Sequence, residues 1–145
     1  MRKSIFIFSL ILLTGLTSCG VGAAEDFMDE FHKKMDAKEY DYIVENMLDP
    51  DAIAAMGTAQ WYEMFQYIES TWGVAESREE AFDFESNTKN GITYVELNYT
   101  VHFKSLTMYE RVFLVDRGSG FKLSGYFINE SQEGLNAQTN PDKAV

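Results

Sequence analysis

Residues 92–104, ITYVELNYTVHFK, carry the longest clean alternation of apolar and polar side chains in the chain. Val95, Leu97, Tyr99, Val101 and Phe103 fall on one register. Tyr94, Glu96, Asn98, Thr100 and His102 fall on the other. Successive side chains on a strand point to opposite faces, so this stretch predicts a long strand with one dry face and one wet face. The residues before it read largely as helix able to cover the dry face. The residues after it read as further strand beside it.

Two strands lie downstream. Thr107 to Asp116 alternates Met108, Glu110, Val112 and Leu114 against Tyr109, Arg111, Phe113 and Val115. Arg117 to Gly120 is a glycine-rich turn, and Phe121 to Asn129 is the last strand. Ahead of the central strand, Asn90-Gly91 marks a hairpin turn, because both central positions of such a turn adopt positive φ. Ser77 to Glu85, with Phe82 and Phe84 alternating against charges, completes a four-stranded antiparallel set.

Three helices are predicted upstream. Glu25 to Ala37 places Phe27, Met28, Phe31 and Met35 on one stripe, with acids first and Lys33 and Lys34 last, as the helix dipole favours. Lys38 to Leu48 directs Tyr40, Ile43, Val44, Met47 and Leu48 inward, and Asp49-Pro50 stops it. Thr58 reads as an N-cap for Ala59 to Trp72, whose Trp61, Met64, Phe65, Ile68 and Trp72 share a face, and Gly73 as its stop. Helices collected on one face of an antiparallel sheet make an α+β domain.

The 145 residues suit one domain, and 46% apolar with 14% aromatic composition is too rich for a disordered chain. The net charge is −11. Removal of residues 1–18 leaves 10 basic and 23 acidic residues, a charge of −13. Such a surface repels phosphate backbones and anionic head groups, which argues against nucleic acid and against a polybasic membrane patch. A lone cysteine, Cys19, excludes an internal disulfide and a cysteine-cluster metal site.

Arg2 and Lys3 open the chain, and the apolar run Ile5 to Leu13 is shorter than the roughly 20 residues a membrane span needs. Leu16-Thr17-Ser18-Cys19 resembles the lipobox of bacterial lipoproteins. That resemblance implies cleavage before Cys19, acylation of its thiol and anchoring in the cell envelope. Each buried CH₂ is worth about 0.8 kcal/mol, so two or three acyl chains hold a protein on a bilayer. Gly20 beside the cysteine, where an aspartate would retain such proteins in the inner membrane of enteric bacteria, implies the outer membrane, facing periplasm or exterior. The expected organisation is a signal peptide over 1–18, a lipidated cysteine and tether over 19–24, one domain over 25–129 and a flexible tail over 130–145.

The order of elements, with Gly120-Phe121-Lys122-Leu123-Ser124-Gly125-Tyr126-Phe127 at the end and Lys38-Glu39-Tyr40-Asp41 between the first two helices, resembles the cystatin-like cone of the nuclear transport factor 2-like superfamily. Several small secreted members are lipoproteins. Enzymes of that superfamily hold an acid or base inside the cone, so the resemblance directs attention to polar groups on the dry register. Tyr99 and Glu110 lie there. His102 lies on the opposite register. These three are the candidates for acid–base work. A carboxylate among Met108, Val112 and Leu114 has to be paired or raised in pKa, and Lys122 on the next strand is a candidate partner. His32 falls off the Phe27/Phe31/Met35 stripe and lacks a partner in the sequence.

No nucleophile elbow, phosphate loop, metal-ligand spacing or cofactor motif occurs. Trp61, Phe65, Ile68, Trp72, Val95, Leu97, Tyr99, Val101 and Phe103 read first as core, and as the wall of an apolar-ligand pocket if the space between helix and sheet is open. Tyr94 and Tyr109 on the outer register suit a protein interface, a homodimer included. Three functions are thus expected: a lipid-anchored, non-catalytic binding or scaffold module, an isomerase-like or dehydratase-like enzyme, or an acidic inhibitor or immunity-type lipoprotein.

Overall fold

A computed structural model describes residues 19–81 and 84–139. The signal sequence expected over Met1 to Ser18, Phe82 and the last residues of the tail lie outside them. Among the described residues the chain is α+β, with five helices and one open antiparallel sheet of five strands.

The central strand β3 (Ile92–His102) forms as its alternation dictates. Val95, Leu97, Tyr99 and Val101 are buried, while the intervening residues stay partly exposed. It pairs along its length with β4 (Thr107–Asp116), which pairs with β5 (Phe121–Asn129). The other edge of β3 takes two short strands instead of the single strand expected over Ser77–Glu85. β1 (Ser77–Glu80) pairs with its C-terminal half and β2 (Glu85–Lys89) with its N-terminal half. Eleven residues in β3 leave room for two partners on one edge, and this division raises the count from four strands to five. Asn90 and Gly91 turn β2 into β3 with φ of 55° and 77°, as the Asn-Gly pair predicts.

The β4–β5 ladder is interrupted by a bulge: Phe113 and Leu114 pair with Gly125 and Leu123, which leaves Ser124 as an extra residue in β5. The Ser124 hydroxyl donates to the Phe113 carbonyl at 3.0 Å, satisfying the disrupted ladder. Gly125 sits close against Phe113: a Cβ would lie 3.1 Å from its Cδ2, and the Phe113 ring is edge-on to Phe127. Gly125→Val is therefore expected to cost about 1–3 kcal/mol of stability, read from urea denaturation.

Four helices cover the inner face. α1 (Cys19–Asp36) buries Ala24, Met28, Phe31, His32 and Met35, spaced at helical intervals. It begins earlier than expected: residues 20–24, read as a tether, continue the helix, and Ala24 is fully buried. α2 (Tyr40–Asn46) comes after Lys38, which takes φ 59°. Asp49-Pro50 does end that helix, but it also starts another, α3 (Pro50–Met56). The buried Asp49 carboxylate accepts from the Asp51 N–H at 3.1 Å, and proline suits the first helical position. Arg117 pairs with both Asp49 and Asp51. α4 (Thr58–Trp72) begins at Thr58, with Gly57 and not Thr58 at the cap position and no side-chain cap bond. Gly73 ends it at φ 86°. Trp61, Phe65 and Ile68 of α4 are buried against the inner sheet face, and Trp72 packs on Phe103 at 5.9 Å between ring centroids. The two aromatic rows face one another as expected.

The segment after Glu130, expected to be a flexible tail, forms α5 (Gln132–Thr139). It packs against β4 and β5 on the outer face, anchored by buried Leu135. Arg111 donates to Thr139 at 2.7 Å and to Asn136 at 3.0 Å.

Candidate functional site

α1 and β4 bring a histidine and a carboxylate together inside the domain. Glu110 sits on the inner register of β4, opposite Tyr99 of β3 and Ile128 of β5. His32 lies one helical turn after Met28 on the buried stripe of α1. Its Nε2 is 2.7 Å from Glu110 Oε2, with the two residues 8% and 2% exposed. The Tyr126 hydroxyl, from β5, donates to the same carboxylate. Tyr99 presents its ring edge-on to His32 at 4.9 Å between centroids. Arg78 of β1 grips Asp36 of α1 through two bonds, of 2.9 and 2.7 Å, and its charge reaches Glu110. The Arg78 Nε has no hydrogen-bond partner among the described residues.

Burial pushes the Glu110 carboxyl up, but His32, Tyr126 and Arg78 together outweigh it and hold it below the usual carboxylate range. Glu110 is accordingly ionised at neutral pH, and the His32 Nε2–H donates to it. Burial, then the Glu110 charge, raises the Tyr126 hydroxyl well above the usual tyrosine range. Tyr99 is raised too, by burial first and then by Glu80 and Glu110. Both phenols are neutral at any ordinary pH.

This cluster contains the parts of an acid–base site, but its inner cavity is too small for a substrate, and the opening of about 130 Å³ that Tyr99 and Glu110 help to line lies beside Arg111 and Leu135 of α5. The cavity that Asp36, Arg78, Glu110 and Tyr126 line measures about 20 Å³. One water needs about 10–15 Å³ by the same kind of measure, so the void has room for no more than about one. The expected partner Lys122 is elsewhere: its ammonium donates to the Asn46 carbonyl.

The remaining candidates separate. His102 stands on the outer face with side-chain partners Thr107 at 3.0 Å and Glu79 at 3.6 Å, on the far side of the sheet from Glu110. Tyr99 is in the core beside His32, without a bond to Glu110 among those observed. Of the nine residues read as a possible pocket wall, Trp61, Phe65, Ile68, Val95, Leu97, Tyr99, Val101 and Phe103 are buried in one continuous cluster, and Trp72 is packed against it. Phe65 touches Phe31, Trp61 and Tyr126 ring to ring. The space between α4 and the sheet is occupied by this cluster of the protein's own side chains. No group of three or more metal-ligating side chains occurs among the described residues, and none of their helices is long and apolar enough to cross a membrane.

A larger opening lies on the outer face. Phe84, Tyr94 and Phe113, with Glu85 and Glu96 at the rim, line an open groove of about 640 Å³ on the sheet where α5 does not reach. Phe84 and Tyr94 are each 45% exposed. Glu96 is held by Arg111 at 3.0 Å.

Sequence reasoning passes over Tyr126 and Arg78 and reads His32 as off the stripe and unpartnered, whereas it is buried and bonded to Glu110. A signal for His32 was present: Met28, His32 and Met35 are spaced by four and three, which puts His32 on the buried stripe. A buried histidine on one element and a carboxylate on the apolar register of another each need a partner, and each supplies the other's. No protein-family model, curated protein or solved structure matches this chain.

Proposed function

We propose that this protein is a lipid-anchored lipoprotein of the bacterial envelope whose domain, a variant of the nuclear transport factor 2-like cone, is a non-catalytic binding module for a protein partner. The single observation that supports this most is the contrast between its two faces. The inner face is packed shut, with room for one water beside its only buried acid–base pair among the described residues. The outer face carries an aromatic groove with exposed Phe84 and Tyr94. Aromatic side chains at an accessible concavity are what a protein interface uses as anchors. The acidic rim and the overall charge suit a partner segment that is apolar with a basic flank.

The antiparallel sheet with its bulge in β5, and the helices packed over its inner face, support the cone reading. Anchoring rests on Leu16 to Cys19. An α1 that starts at Cys19 would hold the domain close against the lipid surface, because a helix advances only about 1.5 Å per residue.

Two experiments address the two halves. Cys19→Ser is expected to release the protein from the membrane fraction and abolish incorporation of labelled palmitate. Retention in the membrane without label would contradict the anchor. A photo-crosslinking residue at Tyr94 is expected to trap one discrete partner in intact cells, and the same residue at Tyr67 on α4, 60% exposed, is not. Equal yields from both positions would contradict the groove.

A further inference from the structure

β2 is an edge strand whose far side is unpaired among the described residues, and all five of its residues are exposed. Its sequence is Glu85-Ser86-Asn87-Thr88-Lys89, which is self-complementary when read against itself in the opposite direction. We propose that β2 pairs antiparallel with β2 of a second copy, about a two-fold axis through Asn87, joining two five-stranded sheets into one.

The backbone geometry selects that register. The two-residue turn at Asn90-Gly91 makes its flanking pair, Lys89 and Ile92, a hydrogen-bonded one. Bonding then alternates, so Lys89, Asn87 and Glu85 direct their amides and carbonyls toward β3. The Thr88 and Thr93 hydroxyls, 2.9 Å apart, mark a closer pair between these. Ser86 and Thr88 are left with amides and carbonyls facing outward. Antiparallel pairing about Asn87 sets Ser86 opposite Thr88 of the second copy in a hydrogen-bonded pair, with Asn87 opposite Asn87. Glu85 then faces Lys89 of the second copy, and Lys89 faces its Glu85. A shift of the axis by one residue separates these charges. The isologous contact closes on itself, so it yields a dimer and not a fibre. It also sets two aromatic grooves side by side on one sheet. The dimer stands independently of what those grooves bind.

The full-length protein in detergent micelles tests this by sedimentation. The expected result is a dimer that Glu85→Lys weakens about fivefold or more, since the substitution turns two opposite-charge pairs into like-charge pairs. Lys89→Glu weakens it equally, and the double variant E85K/K89E restores it. Ser86→Pro removes an outward amide and leaves the β2–β3 bonds in place, so it gives a folded monomer. A monomer at every concentration, or a dimer indifferent to both single reversals and to Ser86→Pro, overturns the proposal. Circular dichroism matching the unsubstituted protein identifies each monomeric variant as folded. A misfolded reversal leaves the decision to Ser86→Pro.

Discussion

Glu110→Ala is expected to remove about 3–5 kcal/mol of folding stability, measured by urea denaturation at neutral pH, because it strips a buried histidine and a buried phenol of their shared acceptor. That is a large share of the roughly 5–15 kcal/mol that holds a domain of this size together. The pair itself adds much less than its removal costs, since two polar groups had to leave water to form it. The paired apolar replacement His32→Leu/Glu110→Met should therefore recover most of what the single variant loses. A double variant no more stable than Glu110→Ala would mean that the two residues are not partners.

The same carboxylate sets an acid limb. Its folded pKa lies below the ordinary 4.5. A depressed carboxyl contributes stability that is fully present above its unfolded pKa and is lost as the pH falls through its folded one. The carboxyl's share of the stability difference between the natural protein and Glu110→Gln should hence shrink as the pH falls below about 4.5. Urea titrations of both proteins between about pH 7 and pH 3 measure it. A difference that grows on acidification would reverse the sign of the shift.

Phe65→Ala should be as damaging, at about 3–5 kcal/mol. Phe65 is fully buried and meets Phe31, Trp61 and Tyr126 at ring-centroid distances of 5.7–5.8 Å. Its loss leaves a void that close-packed aromatic neighbours on three elements cannot collapse into. Tyr94→Ala, of similar size but on the outer face, should change stability by no more than about 0.5 kcal/mol. The contrast in thermal unfolding distinguishes core from working surface. Comparable losses at the two positions would mean that the groove is part of the core.

The sequence announced what periodicity can announce. The alternation from Val95 to Phe103, the stripe from Trp61 to Trp72 and the Asn90-Gly91 turn each specify an element and a buried face, and the structure places them as read. Elements without such a signal were missed. α3 has one buried residue, Ala52, and α5 one, Leu135, so neither shows a period. Both are held by contacts distant in sequence, through Arg117 and Arg111. The division of β1 from β2 depends on the length of their common partner, which no local pattern encodes. The candidate site was half legible. Glu110 stood out as a charge on an apolar register, but its partner lies 78 residues away on a helix, and only packing shows that the two meet. The filling of the interior was not legible either, because the same aromatic stripe would line an open pocket or close it.

A sealed interior and an available outer face are the pair of properties on which the rest depends. Paramagnetic broadening of aromatic NMR signals by a neutral, water-soluble gadolinium chelate tests them most directly. The rings of Phe84, Tyr94 and Phe113 should broaden strongly, while those of Phe31, Phe65 and Tyr126 stay sharp. Broadening at Phe65 and Tyr126, with Tyr94 protected, would show an interior open to solvent and a covered outer face, and would contradict this account.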